Sequence, residues 1–304
     1  MLVQKKELLQ DAAVERDIQE QEDATAKLQS ASPPSQQPPV EEARRQWDPV
    51  DDQMEDMQLQ DDSEIEQQMV PFKNQFEGDI QFSKRGVMQL IDELFSEDVE
   101  QEGNKKLWEL KLNKEDIKVY VKKSGGSRFN KEQPYIKSEV LFNAAFSMKK
   151  IVLAIFDPKY RIQWDKNVLK CESTPIDGQP CLTLNYQQNK GVLNMNNKEF
   201  VDKQLRFFDP ATQRFYVYYS ALPDGHAHMD RPLPPKTDRA VTIVGVQRMW
   251  RRPEDGKIVC EMLMQCDLKV NITPKLIQLF LPTGMQDWNN RLNKYIVNNY
   301  DKIE

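Results

Sequence analysis

The chain has 304 residues and a formal net charge of −6. No uninterrupted apolar run approaches the roughly 18 residues that would cross a bilayer, and residues 1–30 hold too many carboxylates for a secretory or mitochondrial presequence. We therefore expect a cytoplasmic protein that meets membranes only through peripheral contact.

The few cysteines and histidines also limit the metal sites and the catalytic chemistry that the chain can have. The 4 cysteines form no CxxC pair, and the 2 histidines, His226 and His228, form an HxH in a proline-rich loop that offers no further ligands. These spacings indicate reduced thiols, and they favour a surface or structural role for the histidines over a metal site. We expect no metal, no cofactor and no enzymatic activity.

Charge is divided unevenly along the chain. Residues 1–70 hold 18 acidic and 6 basic side chains, net −12, whereas the remaining 234 residues hold 30 acidic and 36 basic side chains, net +6. The acidic run either solvates a disordered tail or covers a basic surface that would otherwise meet an anionic partner such as a membrane. We predict a largely disordered acidic arm over 1–70 and one folded domain over 71–304.

Three segments are predicted within the arm. Residues 2–29 have a helix-forming composition with a thin apolar stripe. Residues 31–39, ASPPSQQPP, form a linker, because proline lacks the backbone donor that a helix needs. Residues 41–70 carry Trp47 and Met54 among many carboxylates, a composition typical of a segment that orders on contact with a protein partner.

The first half of the domain mixes helices with strands. Apolar residues recur at three- and four-residue steps over 87–95, which predicts an amphipathic helix. Alternation and turn residues then predict strands at 108–112, 117–121 and 135–142, a turn at 124–126, a helix at 148–156 ended by Asp157-Pro158, and a short helical segment that carries Trp164.

The second half is a run of antiparallel strands before a C-terminal helix. Six strands are predicted at 168–174, 181–187, 200–208, 214–222, 240–250 and 258–268. An amphipathic stripe over 277–296, interrupted only at 282–284, predicts a short helix, a kink and a long helix. This order is typical of an α+β fold in which a curved sheet buries one face on the last helix.

Four short motifs follow one another within the domain. They are Phe156-Asp157-Pro158 with Trp164-Asp165, Lys198-Glu199-Phe200-Val201, Pro234-Pro235-Lys236 with Arg239-Ala240, and Cys266-Asp267-Leu268 before Pro274. In this order they resemble the START (StAR-related lipid transfer) domain family over about residues 87–303. The resemblance implies a helix-grip fold, in which a curved antiparallel sheet wraps around the long C-terminal helix and leaves a lipid-sized tunnel.

The resemblance also bears on the tunnel interior. It places Asn185 and Gln204 at about the two positions where sterol-binding members have an acidic residue and an arginine. Neutral amides exchange hydrogen bonds without the cost of burying an ion. We therefore do not carry a sterol specificity over to this chain.

The residues themselves indicate a soft apolar interior. Side chains at every second position of the last strand share one face, and here that face is rich in methionine and cysteine, which adapt to changing contacts. An ordinary closed core strand is the alternative interpretation. The tunnel-lining candidates are Asn185, Gln204, Cys260, Met262, Met264, Met285, Trp288 and Leu292.

A loop over the tunnel mouth is implied by the resemblance at 189–198. Gly191, Val192, Leu193 and Met195 would form its gate, with apolar tips at the entrance. The alternative is that these residues cap the core under an ordinary loop.

Two functions of different kinds follow. The first is non-enzymatic binding and transfer or sensing of one lipid, with transient membrane contact. The alternative is a START-fold structural subunit of a larger assembly, in which residues 1–70 contact a protein partner. No phosphate-binding loop or GxSxG motif occurs, and the basic-aromatic cluster around Trp250 favours a solvated strand end over a nucleic-acid site.

Overall fold

A computed structural model describes Met54, Met57 and residues 84–96, 107–122, 127–176, 179–191, 195–269 and 274–304. The chain divides into two compact units, Met1–Arg45 and Gln46–Glu304. The first unit, with the predicted helix and linker, lies outside the described residues. All described residues belong to the second unit.

The second unit combines helices with a large sheet. Its helices are α1 (Lys84–Ser96), α2 (Met148–Phe156), α3 (Pro158–Trp164) and α4 (Pro274–Asn299). Its strands are β1 (Trp108–Asn113), β2 (Ile117–Lys122), β3 (Tyr135–Phe142), β4 (Val168–Ile176), β5 (Gln179–Asn189), β6 (Asn197–Asp209), β7 (Arg214–Ala221), β8 (Thr237–Arg239), β9 (Val241–Arg251) and β10 (Ile258–Asp267).

One curved open sheet contains all ten strands, in the order β1-β2-β3-β10-β9-β7-β6-β5-β4. Neighbours along this path are antiparallel, and the short β8 pairs in parallel with β6 outside it. The predicted α+β helix-grip architecture is therefore confirmed. Every predicted strand is present, whereas β8 was not predicted, because three residues are too few for an alternating pattern.

The sheet has an outer and an inner face. Helix α1 covers the outer face through its buried stripe, which ends at Leu94 and Phe95. The inner face, which includes Ile136 and Cys260, packs with α2, α3 and α4. Helix and sheet thus meet on both sides, and the two faces form separate hydrophobic clusters.

Helix α4 is one continuous helix, so the prediction of two separate helices divided at 282–284 is wrong. Pro282 lies inside it and is buried, although an interior proline costs a helix about 3 kcal/mol. The fully buried Leu292 and Ile296 show what offsets this cost, since the helix face packs into the inner core. None of the described helices combines the length and the apolarity needed to cross a membrane.

Two residues of the predicted arm pack against the domain. Met54 is fully buried in the inner-face core, and Met57 packs beside it. The Met57 amide donates to the Met54 carbonyl over 2.9 Å, and the Cys181 thiol donates to the Met57 carbonyl over 3.5 Å. The remainder of the segment 41–70, Trp47 included, lies outside the described residues.

Candidate functional site

A cavity of about 350 Å³ lies between the inner face of the sheet and helices α2, α3 and α4. Its lining residues are Pro134, Ile136, Ser138, Ile155, Phe156, Arg161, Cys171, Asn185, Tyr186, Gln187, Asn189, Phe200, Asp202, Gln204, Tyr219, Thr242, Gln247, Met262, Met264, Cys266, Leu268, Leu281, Met285 and Trp288. Most of the wall is apolar, with polar groups inserted between apolar ones. A cavity of this size and character is typical of a small-molecule site.

Six of the eight predicted tunnel residues line this cavity. They are Asn185, Gln204, Met262, Met264, Met285 and Trp288. The other two, Cys260 and Leu292, are fully buried in the closed core next to the cavity. Both belong to the part of the inner cluster where side chains fill the space between α4 and the sheet, so neither reaches the empty volume.

Arg161 of α3 is one of two charged side chains in the cavity wall. Its guanidinium forms an ion pair of 2.7 Å with Asp165 and lies 4.7 Å from the ring centroid of Trp164 and 5.8 Å from that of Trp288. Burial lowers the pKa of Arg161, and the Asp165 carboxylate opposes that shift. Its Nε has no hydrogen-bond partner among the described residues, so one donor remains available.

Asp202 of β6 is the other charged side chain. The Thr242 hydroxyl donates to its Oδ2 over 2.9 Å, and Oδ1 is buried with no hydrogen-bond partner in the described part of the chain. Burial raises the pKa of this carboxyl to about 7, while the Thr242 hydrogen bond acts in the opposite direction. Removal from water penalises the ionised form more than one hydroxyl can offset.

The ring of Tyr219 on β7 extends over the neighbouring strand β9, because its cross-strand partner there is a glycine. A Cβ at Gly245, its partner on β9, would overlap the Tyr219 ring. The ring therefore occupies space that any other residue at 245 would fill, and it forms part of the cavity wall. Burial raises the pKa of the Tyr219 hydroxyl, which stays neutral at physiological pH.

Sequence reasoning missed both charged residues of the cavity. Neutral amides do occupy the two predicted positions, Asn185 and Gln204, but a charge lies beside them, because Asp202 pairs directly with Asn185 across β5 and β6. The available signal was the two-residue period of β6, which puts Asp202 on the same face as Gln204. Arg161 could have been found from its helical spacing of three residues to Trp164.

The gate prediction is only partly within the described residues, since Val192 and Leu193 lie outside them. Gly191 and Met195 are described, and neither lines the cavity. A Cβ at Gly191 would overlap the carbonyl oxygen of Met195, so the two ends of the loop approach closely at this point. The Gly191 amide also donates to Asn197 Oδ1 over 3.1 Å.

Solved structures with a similar fold include START domains. Human StAR-related lipid transfer protein 5 has a TM-score of 0.56 at 14% identity, and the alignment covers 71% of this chain and 97% of that one. Human STARD10 has a TM-score of 0.55 at 16% identity, covering 70% and 82%. The lipid transfer and protein localization domain of human StarD13 has a TM-score of 0.50 at 13% identity, covering 69% and 95%.

Sequence comparison finds no such likeness, since no protein-family model and no curated protein matches the chain. The similarity to solved structures is one of three-dimensional structure, at identities of 14% and 16%. The chain has the START fold, as its four motifs predicted.

Proposed function

We propose that this protein binds one lipid molecule in the cavity between the sheet and α4 and transfers or presents it without making or breaking a bond. The observation that carries the proposal is the 350 Å³ cavity, whose wall is mostly apolar and faces the C-terminal helix of a START fold. The START domains with similar structures include proteins named for lipid transfer.

The composition of the wall supports a flexible apolar ligand. Methionines at 262, 264 and 285 contribute from two sides, and their unbranched side chains adapt to ligands of different shape. Each methylene that leaves water contributes about 0.8 kcal/mol. A single acyl chain therefore supplies enough transfer free energy for binding, and the polar groups are left to orient the head of the ligand.

The same wall offers little support for catalysis. Neither His226 nor His228 lines the cavity, and the His226 ring instead accepts a hydrogen bond from the His228 amide in a short helical turn, Ala227–Met229. The Cys266 thiol lines the cavity, and burial raises its pKa to about 12. A thiol that remains protonated at neutral pH is a poor nucleophile.

A lipid must reach the cavity through an entrance from the protein surface. We place the entrance between α4, which contributes Leu281, Met285 and Trp288 to the wall, and the loop at 189–198. Apolar residues of this loop would touch the membrane surface during exchange. The domain's net positive charge after residue 70 favours approach to an anionic membrane.

Mass spectrometry of the gently purified full chain tests the proposal. We expect a co-purifying lipid at close to one molecule per chain, and we expect the Met264→Trp variant to lose it, because the indole would fill the cavity. The matched control is Leu110→Trp, which adds the same ring at an exposed position on β1. A lipid-free wild type that also takes up no added lipid would contradict the proposal.

The alternative function is a structural subunit held in an assembly by its acidic arm. Unlike lipid binding, this function depends on the N-terminal residues. Because Met54 is buried in the domain core, a deletion of residues 1–70 would damage the domain itself. Deletion of residues 1–45, the first compact unit, leaves Met54 in place. A lipid-binding protein should retain lipid uptake after this deletion, whereas an assembly subunit should lose its protein partner in a pull-down.

A further inference from the structure

Besides the Arg161 Nε and the Tyr186 hydroxyl, two buried atoms of the cavity wall that can only accept hydrogen bonds have no partner in the described part of the molecule. They are Oδ1 of Asp202 and Oε1 of Gln247. Leaving a buried acceptor unpaired costs about 1–3 kcal/mol, and folded proteins rarely tolerate it. Unpaired acceptors in the wall of a cavity indicate that a bound molecule supplies the missing donors.

A β-bulge builds this part of the wall. In the β9–β10 ladder, Gln265 pairs with Val244 and the next residue, Cys266, pairs with Thr242, so β9 contains one extra residue. Without this bulge, the alternation of a strand would place residues 242 and 247 on opposite faces. Because of it, Thr242 and Gln247 both line the cavity, and the Thr242 hydroxyl reaches Asp202.

The groups that face Asp202 are neutral. Its register partners are Asn185 on β5 and Ala221 on β7, and Thr242 faces it from β9. The Asp202 charge acts on the Tyr219 hydroxyl of β7 and the Cys266 thiol of β10, which burial keeps protonated.

Cations do not compensate this carboxylate within the described residues. Burial and the Thr242 hydrogen bond are the influences on its pKa, whereas Arg161, the cation of the cavity wall, is paired with Asp165. Among the described residues, the Asp202 carboxylate is therefore an anionic acceptor without a cation partner, and a ligand can supply the positive charge.

We propose that Asp202 is the head-group subsite of the cavity and selects a lipid whose polar end carries a protonated amino group. This inference rests on the proposed lipid-binding function. An ammonium group supplies both N–H donors for the unpaired acceptors and the positive charge that offsets a buried carboxylate. A hydroxyl supplies a donor without the charge, and a phosphate or carboxylate head would place like charges together.

Three probes with the same alkyl chain separate these possibilities: decylamine, decanol and decanoate. Binding to the full-length, lipid-stripped protein is measured by calorimetry at pH 6 and pH 8. We expect decylamine to bind more tightly than the other two at pH 8. We also expect its affinity to rise about tenfold between the two pH values, because Asp202 with a pKa near 7 ionises over this range while an alkylamine stays protonated.

The isosteric variant Asp202→Asn removes the charge and keeps the shape. It should bind decanol as the wild type does and lose both the preference for decylamine and its pH dependence. The matched control is Asp255→Asn, which removes a carboxylate from an exposed turn, where it pairs with Arg252, and should leave all three affinities unchanged. If Asp202→Asn does not fold, the pH dependence of decylamine relative to decanol in the wild type decides.

The failure of this inference differs from the failure of the proposed function. Equal affinities for decylamine and decanol, with no pH dependence, would overturn the amine subsite while leaving lipid binding intact. If the wild type binds none of the three probes and carries no co-purified lipid, both proposals are wrong.

Discussion

The two faces of the sheet are packed in different ways. On the outer face, α1 and the strands enclose a continuous apolar cluster in which Phe207 stacks on Tyr216 with 5.6 Å between ring centroids. On the inner face, the helices leave a cavity whose wall contains the charged side chains Arg161 and Asp202. The closely packed outer face stabilises the fold, so the inner face can contain a cavity.

Strand β10 shows the same difference between adjacent residues. Leu263 points to the outer face and is 1% exposed, whereas Met262 and Met264 point to the inner face and line the cavity. A branched side chain with few rotamers occupies the close-packed position, and flexible side chains occupy the open ones. At these positions, close packing and the cavity wall thus lie on opposite sides of one strand.

The largest expected difference between the two faces is the loss of stability when neighbouring residues of β10 are truncated. Leu263→Ala removes buried methyl groups from a closed core and should lower the free energy of unfolding by about 2–5 kcal/mol. Met264→Ala enlarges a space that already exists, so its cost should stay below about 1.5 kcal/mol. Urea denaturation of both variants measures the difference, and equal costs would mean that the inner face is as tightly packed as the outer one.

The buried carboxylate of the inner face should make stability depend on pH. The pKa of Asp202 is about 7 in the folded protein, well above its value in the unfolded chain, so the folded state retains a proton that the unfolded state has lost. Stability therefore falls as pH rises from about 4 to 7 and levels off above that range. In lipid-free protein, Asp202→Asn should remove this loss and gain roughly 1–4 kcal/mol relative to wild type at pH 8.

Urea denaturation at pH 5 and pH 8 measures this effect. The gain of the variant should be smaller at pH 5 than at pH 8, because at pH 5 the stability of the wild type has fallen through only part of the range from about pH 4 to 7. Asp255→Asn is the control. Arg252 lowers the pKa of Asp255 to about 2, so this carboxyl titrates below the range from pH 5 to pH 8. A variant that is no more stable than wild type at pH 8 would show that water or another group already solvates the carboxylate.

Much of the fold was predictable because the sequence signals are local. Alternation predicted β3 with both of its ends, and the Asp157-Pro158 pair predicted the end of α2. Asp157 ends α2 because it caps the start of α3, where its side chain accepts a hydrogen bond from the Lys159 amide over 2.8 Å. The continuity of α4 through Pro282 was not predictable in this way, because tertiary packing decides it.

The cavity was less predictable, for a related reason. Period-two alternation placed Met262 and Met264 correctly on one face, but it could not show where the empty volume ends, so Cys260 was included with them. Alternation could not predict that Thr242 faces the cavity, because the bulge that turns it inward appears only when β9 is paired with β10. Features that depend on pairing and on helix position need the three-dimensional structure.

The contact between Tyr219 and Gly245 provides the smallest and most local test of the difference between the faces. Gly245→Ala would push the Tyr219 ring out of the cavity wall and should cost about 1–3 kcal/mol of stability, because the overlap is with a ring held by its strand. Gly284→Ala is the matched control, since its Cβ would meet no atom within 4 Å inside α4 and should stabilise the helix by about 0.5–1 kcal/mol. Thermal or urea denaturation gives both values. Opposite signs for the two substitutions would show that the inner wall depends on this close approach, and a neutral Gly245→Ala would show that Tyr219 moves freely within the cavity.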